Sequence, residues 1–346
     1  MSKGINKMKI SILGAGRWTS NIAFCMDKLN YDVLVWERIE EKENPLFLTR
    51  KNKFVELSGN VNFTHDLERT VRHSKIIIIS ILSQALDNLM KNVSKIKGYE
   101  NKHYVLAMKG VEASTGRRLS EILLDNGVKK DNIAVWVGPG HVQSIFAGQP
   151  TNMIISAYRE QYAKRLTKIF TREKVIDMTH SNDIIGTEYG AAAKNVIGIA
   201  AGILEGCGYE QKKGPLMPAS VKELGMFIDA LGGDKESASG LAFLGDFQAT
   251  LFDHNSKNLT YGREIVKELS LDNDKIREKV IPCTVEGIKT SDALILKKNQ
   301  YNARASEQQQ LKMPICEAVN DIVSGRISLD RAGEYISEKI TEALYL

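Results

Sequence analysis

The sequence predicts two domains of different class, an α/β domain on a doubly wound parallel sheet followed by an all-α domain. Three observations predict this. Short β-branched runs alternate with helical spacers through the first half. The first of these runs breaks at once into Gly14-Ala15-Gly16. From Ile184 onward the short β runs disappear and apolar residues recur at a helical period. The expected domains are therefore 1–183 and 184–346, and 346 residues suit two domains at about 100–200 residues each.

Lys9 to Leu13 reads as the first strand. Gly14 allows a tight turn, and Gly16 lets the backbone approach a pyrophosphate held at the N-terminus of the next helix. That helix is expected over Asn21–Leu29, with Ile22, Ala23, Met26 and Leu29 on one side. The third fingerprint position, where Gly or Ala allows close helix-on-strand packing, holds Thr19. A second strand, Asp32–Trp36, delivers Glu37 about 20 residues past the glycines, where an acid meets a ribose hydroxyl. The plain alternatives are an ordinary glycine turn and, for Glu37 and Arg38, an exposed pair of charges.

A polar segment to Asn44 and a partly apolar stretch from Pro45 to Leu57 read as helix and loop. Val61–Phe63 is a short strand and Asp66–Val71 a short helix. Lys75–Ile81 is a continuous apolar run of the kind buried on both faces of a parallel sheet. Tyr104–Met108 delivers Lys109-Gly110, and Ala134–Val137 delivers Gly138-Pro139-Gly140. Met153–Ser156 and Val175–Asp177 add two more strands. In such sheets ligands gather outside the carboxyl ends of the strands.

Glu188–Cys207 reads as a long helix rich in Gly and Ala, interrupted by Glu188, Lys194, Asn195 and Glu205. A tightly packed buried helix fits that pattern better than a membrane segment. Further helices are expected over Met217–Leu231, Leu269–Lys279, Val285–Lys297, Ile315–Val323 and Leu329–Leu344. The polar, Gln-rich stretch Lys298–Lys312 reads as an exposed connection. Lys194 is the candidate proton donor and acceptor, since small apolar neighbours dehydrate an ammonium and lower its pKa. A snorkelling surface lysine is the alternative.

Composition sets outer bounds. The chain is 43% hydrophobic and 26% charged, the values of an ordinary globular protein. Its net charge of +5 is spread along the sequence, which favours small anionic ligands and gives no clustered face for nucleic acid. No apolar stretch reaches the ~18–20 residues of a membrane span. Met1–Lys9 lacks the apolar core of a secretory signal, so a cytoplasmic protein is expected. Cys25, Cys207, Cys283 and Cys316 lie far apart in apolar surroundings, as buried reduced thiols do, and no metal is expected.

Several stretches together resemble the NAD(P)-dependent glycerol-3-phosphate dehydrogenases. They are Gly14-Ala15-Gly16-Arg17-Trp18, Lys109-Gly110, Gly138-Pro139, the helix Gly186–Ile197 with Lys194-Asn195, and Gly240–Thr250 with Lys257-Asn258 and Tyr261-Gly262 behind it. Val285-Glu286-Gly287 and Met313-Pro314-Ile315 continue the similarity, which is collinear over nearly the whole chain. The resemblance implies a Rossmann-type first domain and a helical second domain like the C-terminal domain of 6-phosphogluconate dehydrogenase. It implies reversible hydride transfer between a nicotinamide cofactor and glycerol 3-phosphate, giving dihydroxyacetone phosphate, a step that serves phospholipid precursor synthesis.

By that resemblance Lys194 is the general acid/base, Asp246 its hydrogen-bonded partner, and Lys109 a holder of substrate oxygens beside the cofactor. Asn195, Thr250, Lys257 and Asn258 line the substrate side. Gly14, Gly16, Arg17, Trp18, Glu37, Arg38, Gly138, Lys257 and Glu286 line the cofactor side. Glu37 favours NAD(H), while Arg38 leaves NADP(H) open. A homodimer built through the helical half is also implied. Read without the family, Asp246 is equally a helix N-cap, Thr250 a packed helical residue and Lys257 a solvated charge.

The chain departs from the family pattern in places. Lys257 stands where Arg grips phosphate as a planar fork. The stretch from Gln211 to Leu231 contains neither the Asn nor the Arg that the family carries there. Thr19 replaces the third glycine, and Leu82 stands where Pro commonly follows the third long strand. These changes leave open a related dehydrogenase acting on another phosphorylated or anionic polyol or ketose, or a catalytically silent nucleotide-binding regulator. A sugar-nucleotide dehydrogenase is excluded, because no cysteine sits in a strand-end loop.

Overall fold

A computed structural model describes residues 7–38, 45–51, 55–140, 142–172, 175–251, 256–272 and 285–346. The chain divides into two compact units, Met1–Met108 with Leu119–Ile184, and Lys109–Arg118 with Ile185–Leu346. A single crossing at 183–184 does not anticipate the excursion of Lys109–Arg118, which packs with the helical unit.

Among the described residues the first unit holds eight strands: β1 (Lys9–Leu13), β2 (Asp32–Trp36), β3 (Val61–Thr64), β4 (Ile76–Ile79), β5 (His103–Leu106), β6 (Ile133–Val137), β7 (Thr151–Ala157) and β8 (Ile176–Ser181). Their order is β3-β2-β1-β4-β5-β6-β7-β8. The first six pair in parallel, so the winding reverses between β1 and β4. β7 runs antiparallel to β6, and β8 parallel to β7, so the sheet is mixed rather than wholly parallel. The helices are α1 (Arg17–Lys28), α2 (Pro45–Thr49), α3 (Leu67–His73), α4 (Leu86–Val93), α5 (Leu119–Asp125), α6 (Val142–Phe146) and α7 (Glu160–Phe170). The β6-to-β7 connection carries only short α6, not a full crossover helix.

All four isoleucines of β4 are buried, as a strand covered on both faces requires. α1 starts at Arg17, four residues before the expected Asn21. Gly16 takes extended backbone at the cap, and its carbonyl accepts the Ser20 N–H at 3.0 Å, closing the first turn.

The second unit holds α8 (Ile184–Gly206), α9 (Lys213–Ala230), α10 (Asp246–Leu251), α11 (Lys257–Lys267), α12 (Glu286–Asn302), α13 (Pro314–Val323) and α14 (Ala332–Leu344). α8 and α11 cross backbone to backbone. A Cβ on Gly202 would lie 2.1 Å from the Leu259 carbonyl oxygen, and one on Gly262 2.2 Å from that of Ile199. The small residues of α8 are the condition for this crossing.

α11 was not expected. The helix expected over Leu269–Lys279 is not formed at Leu269–Asp272, and 273–279 lie outside the described residues. Leu269 takes φ +46, which ends helical growth just after α11. α12 runs on to Asn302, into the stretch read as a connection. There the Asn302 side chain accepts the Leu311 N–H at 2.8 Å and donates to its carbonyl at 2.9 Å. Cys25 and Cys316 are buried free thiols and Cys207 is partly buried, while Cys283 lies outside the described residues.

Candidate active site

In the first unit the dinucleotide turn is set by close contact. Gly14 has φ +113, its N–H donates to the Trp36 carbonyl at 2.9 Å, and a Cβ would lie 2.2 Å from the Ser80 carbonyl oxygen. No L side chain fits there. Gly16 is the opposite case, with nothing within 4 Å of where its Cβ would be. α1 has no side-chain cap and no acid in its first turn, which suits its N-terminus to a pyrophosphate. Thr19 is buried, and its hydroxyl donates to the Ser80 carbonyl at 3.2 Å. A hydrogen bond thus ties helix to strand where the fingerprint has glycine contact.

The other residues expected on the cofactor side lie after strand ends or in the first turn of α1. Glu37 follows β2, with its N–H on the Thr64 carbonyl at 3.1 Å, and Arg38 is exposed beside it. Arg17 is exposed in the first turn of α1, and Trp18 packs edge-on against Trp136 at 6.4 Å. Gly138 follows β6 with φ +127, and a Cβ there would lie 3.1 Å from the Met153 Cα. Leu82 keeps φ −63 and ψ 134, a conformation proline also adopts, so replacing Pro leaves the backbone path intact. An open helix N-terminus with an acid at the end of β2 fits a dinucleotide.

In the second unit five elements bring polar side chains together. Lys194 and Asn195 come from α8, Asp246 and Thr250 from α10, Asn258 from α11, Glu286 from α12, and Lys109 from the inserted segment. Asp246 is 2% exposed. Its Oδ2 takes the Lys109 ammonium, and its Oδ1 lies 3.2 Å from Lys194 Nζ. Lys194 also donates to Thr250 Oγ1 at 3.0 Å, and that hydroxyl donates to the Asp246 carbonyl at 2.8 Å.

A second group adjoins the first. Asn195 Nδ2 donates to Glu286 Oε2 at 3.3 Å, and Asn258 Nδ2 donates to Asn195 Oδ1 at 3.0 Å. Asn258 Oδ1 accepts the Gly287 N–H at 3.0 Å. A Cβ on Gly287 would lie 2.7 Å from the Asn195 carbonyl oxygen, which is why glycine follows Glu286.

The electrostatics follow from burial. Burial raises the Asp246 carboxyl, but the ammonium groups of Lys109 and Lys194 outweigh it and hold it below the usual carboxylate range. Burial, aided by the charge of Lys194, pulls Lys109 below the usual lysine value against the pull of Asp246. Burial raises Glu286 against Lys109, Lys194 and Lys257. Lys257 itself is exposed at the start of α11. Three lysines around two acids give the cluster an excess of basic groups, suited to an anionic ligand.

The sequence-derived residues of this unit thus form one connected cluster, with Lys257 joined to it by charge alone. Asp246 begins α10, but its carboxylate is committed to two lysines and does not cap the helix. Glu286, expected on the cofactor side, is bonded to Asn195. Sequence reasoning missed the buried ion pair Arg118–Glu188, 2.9 Å apart. Its local signal is Glu188 among the Gly and Ala residues of α8.

Two family models match the chain: NAD-dependent glycerol-3-phosphate dehydrogenase N-terminus over residues 9–163, and the C-terminus of the same family over 183–334. The glycerol-3-phosphate dehydrogenase [NAD(P)+] of Pelodictyon phaeoclathratiforme is 30% identical, over 94% of this chain and 96% of its own. That of Chlorobium limicola is 29% identical over 91% and 93%. The crystal structure of glycerol-3-phosphate dehydrogenase from Coxiella burnetii, 21% identical, matches 99% of this chain and 100% of its own with a TM-score of 0.84, which shows a shared fold. With a Gly14-Ala15-Gly16 turn in one unit and a lysine-centred cluster in the other, matched collinearly by both family halves, this chain belongs to the NAD-dependent glycerol-3-phosphate dehydrogenase family.

Proposed function

We propose that the chain catalyses reversible hydride transfer between NAD(H) or NADP(H) and carbon 2 of glycerol 3-phosphate, forming dihydroxyacetone phosphate. The observation that carries this reading is Lys194, held between Asp246 and Thr250 in a dehydrated cluster beside a second ammonium, in a chain of this family. Family membership also weighs against a different polyol or a silent regulator. When bound, the nicotinamide cofactor supplies or accepts the hydride. Gly14, Gly16, Arg17, Trp18, Glu37, Arg38 and Gly138 are the residues proposed to hold it, joined by Lys109, Lys257 and Glu286.

In reduction Lys194 gives a proton from Nζ to the oxygen on carbon 2, and in oxidation it takes that proton back. Asp246 and Thr250 orient the amine in both protonation states. Lys109 keeps the Asp246 carboxylate paired once Lys194 has lost its charge, and places a positive group near the substrate oxygens. Asn195 and Asn258 keep amide N–H groups for substrate, and Lys257 adds charge toward its phosphate.

No helix among the described residues is long and apolar enough to cross a membrane. The proposal includes a cytoplasmic homodimer, built through the helical unit and supplying phospholipid precursors, on the strength of the family. The test follows absorbance loss of NADH and NADPH with dihydroxyacetone phosphate beside a panel of other phosphorylated ketoses. Turnover greatest with dihydroxyacetone phosphate, and lost in Lys194→Ala, is the expected result. Cofactor binding without turnover on that substrate would overturn the substrate assignment.

A further inference from the structure

Lys109 stands on a segment that leaves the strand order of the first unit and folds back on itself. Val111 bridges Arg118 in antiparallel sense, and the Glu112 N–H donates to the Arg117 carbonyl at 2.9 Å. At the tip, Gly116 takes φ +70 and its N–H donates to the Glu112 carbonyl at 2.8 Å. Arg117 clamps the Glu112 carboxylate through Nε at 2.8 Å and Nη2 at 3.0 Å, and the Thr115 hydroxyl bonds the same group. The segment is therefore a stiff hairpin, with Lys109 at the root of one leg and Arg118 at the root of the other.

Both ends of this hairpin are fixed to helices that carry the site. At the root, Arg118 Nη1 lies 2.9 Å from Glu188 Oε2 of α8, with side chains 8% and 2% exposed. At the tip, a Cβ on Gly116 would lie 3.0 Å from the Ala293 carbonyl of α12, and Gln300 donates to the Thr115 carbonyl at 3.2 Å. α8 carries Lys194 and Asn195, and α12 carries Glu286. A buried ion pair gives little net stability, because desolvation offsets most of the attraction. What it fixes well is geometry, and a guanidinium does so with a rigid fork.

We infer that Arg118 and Glu188 are positioning residues for Lys109, acting through the hairpin to hold its ammonium on Asp246. The inference rests on the reading of Lys109 as part of the reaction site. The test uses the full-length protein with Arg118→Met, Glu188→Gln and the double variant Arg118→Met/Glu188→Met, which removes both charges of the pair together. One readout needs no turnover: the rate at which Lys109 is methylated by formaldehyde and borohydride, read by mass spectrometry against Lys213 as an internal control. Lys213 is paired with Glu205 in the same unit.

The double variant is expected to label Lys109 about tenfold faster with Lys213 unchanged, and to reduce dihydroxyacetone phosphate with kcat lower by roughly 10–100-fold. In a Lys109→Ala background, Arg118→Met is expected to add less than about twofold, since the two act as one unit. Unchanged Lys109 labelling in the double variant would overturn the inference, as would a full Arg118→Met effect in the Lys109→Ala background. Wild-type protein that fails to turn over dihydroxyacetone phosphate would sink the proposed reaction instead, with the labelling result still deciding the positioning role.

Discussion

Lys109 and Lys194 stand on the two oxygens of one carboxylate, Oδ2 and Oδ1 of Asp246. Two ammonium groups this close repel, and the buried Asp246 charge between them makes the arrangement tolerable. The sharing also bears on the proposed role of Lys194. If Lys194 is the acid/base, then once it gives up its proton Asp246 keeps its contact with Lys109, and the proposed transfer leaves no carboxylate stranded.

Replacing Asp246 tests that sharing. Asp246→Asn removes the carboxylate that both ammonium groups contact and leaves them only the charge of Glu286, and breaking a buried pair this way costs about 3–5 kcal/mol. The pH sign follows from the direction of the shift. Asp246 is held below its usual value, so its stabilisation is present above the unfolded value of ~3.9 and lost as pH falls through the folded value. The melting-temperature gap between wild type and Asp246→Asn should be wide at neutral pH and narrow in acid. A gap that stays constant would mean the charge is not what stabilises.

The sheet and the turn were legible because their signals are local. β4 is read from four isoleucines, and the dinucleotide turn from Gly14 and Gly16 beside a strand. The partly buried setting of Lys194 was legible from its small neighbours. α11 was not, because Lys257, Asn258, Thr260 and Gly262 break its apolar period. Gly262 reads as a breaker yet is required by the Ile199 carbonyl pressed against it. The Lys109–Asp246 pair joins residues far apart in sequence, and no periodicity announces it. The antiparallel sense of β7 was hidden for a like reason, since strand pattern carries no direction.

The two glycines of the turn should fail in different ways. Gly14→Ala puts a methyl group into the Ser80 carbonyl at a positive φ, so it should lower the melting temperature sharply and with it cofactor binding. Gly16→Ala has space and ordinary φ, so stability should change by no more than ~0.5 kcal/mol. Its methyl group occupies the approach to the α1 N-terminus, and NADH affinity should fall about tenfold or more. Fluorescence titration beside thermal melting separates the two. Tight NADH binding by Gly16→Ala would remove that glycine from the cofactor site.

Glu223 supplies a second pH-dependent device. It is 1% exposed and accepts the N–H groups of Ile315 at 2.7 Å and Cys316 at 3.0 Å, capping α13 from α9. Burial pushes its carboxyl up to about 7, against those two N–H groups, with Glu317 adding to the rise. The folded state then binds the proton more tightly than the unfolded chain. The contribution is present below the unfolded value of ~4.3 and is lost as pH rises through about 7. Wild type should therefore lose melting temperature relative to Glu223→Gln between about pH 5 and 8. Parallel melting curves across that range would show that Glu223 does not titrate there.

The crossing of α8 and α11 links packing to the substrate side. Gly202 meets the Leu259 carbonyl, whereas a Cβ on Gly198 would lie 3.4 Å from the Asn258 Cβ, near ordinary contact. Gly202→Ala must push the helices apart, and overpacking of this kind costs about 1–3 kcal/mol. Gly198→Ala should keep the fold, and its helix gains propensity of roughly 1 kcal/mol. Its new methyl group nonetheless presses on Asn258, whose amide is bonded to Asn195 and the Gly287 N–H. The KM for dihydroxyacetone phosphate should therefore rise several-fold in Gly198→Ala while the melting temperature holds. Gly202→Ala should lower the melting temperature and raise KM together, since α11 moves as a body and carries Lys257 and Asn258 with it. An unchanged KM in both variants would mean that α11 does not contact substrate, and the phosphate-side role of Asn258 and Lys257 would fall with it.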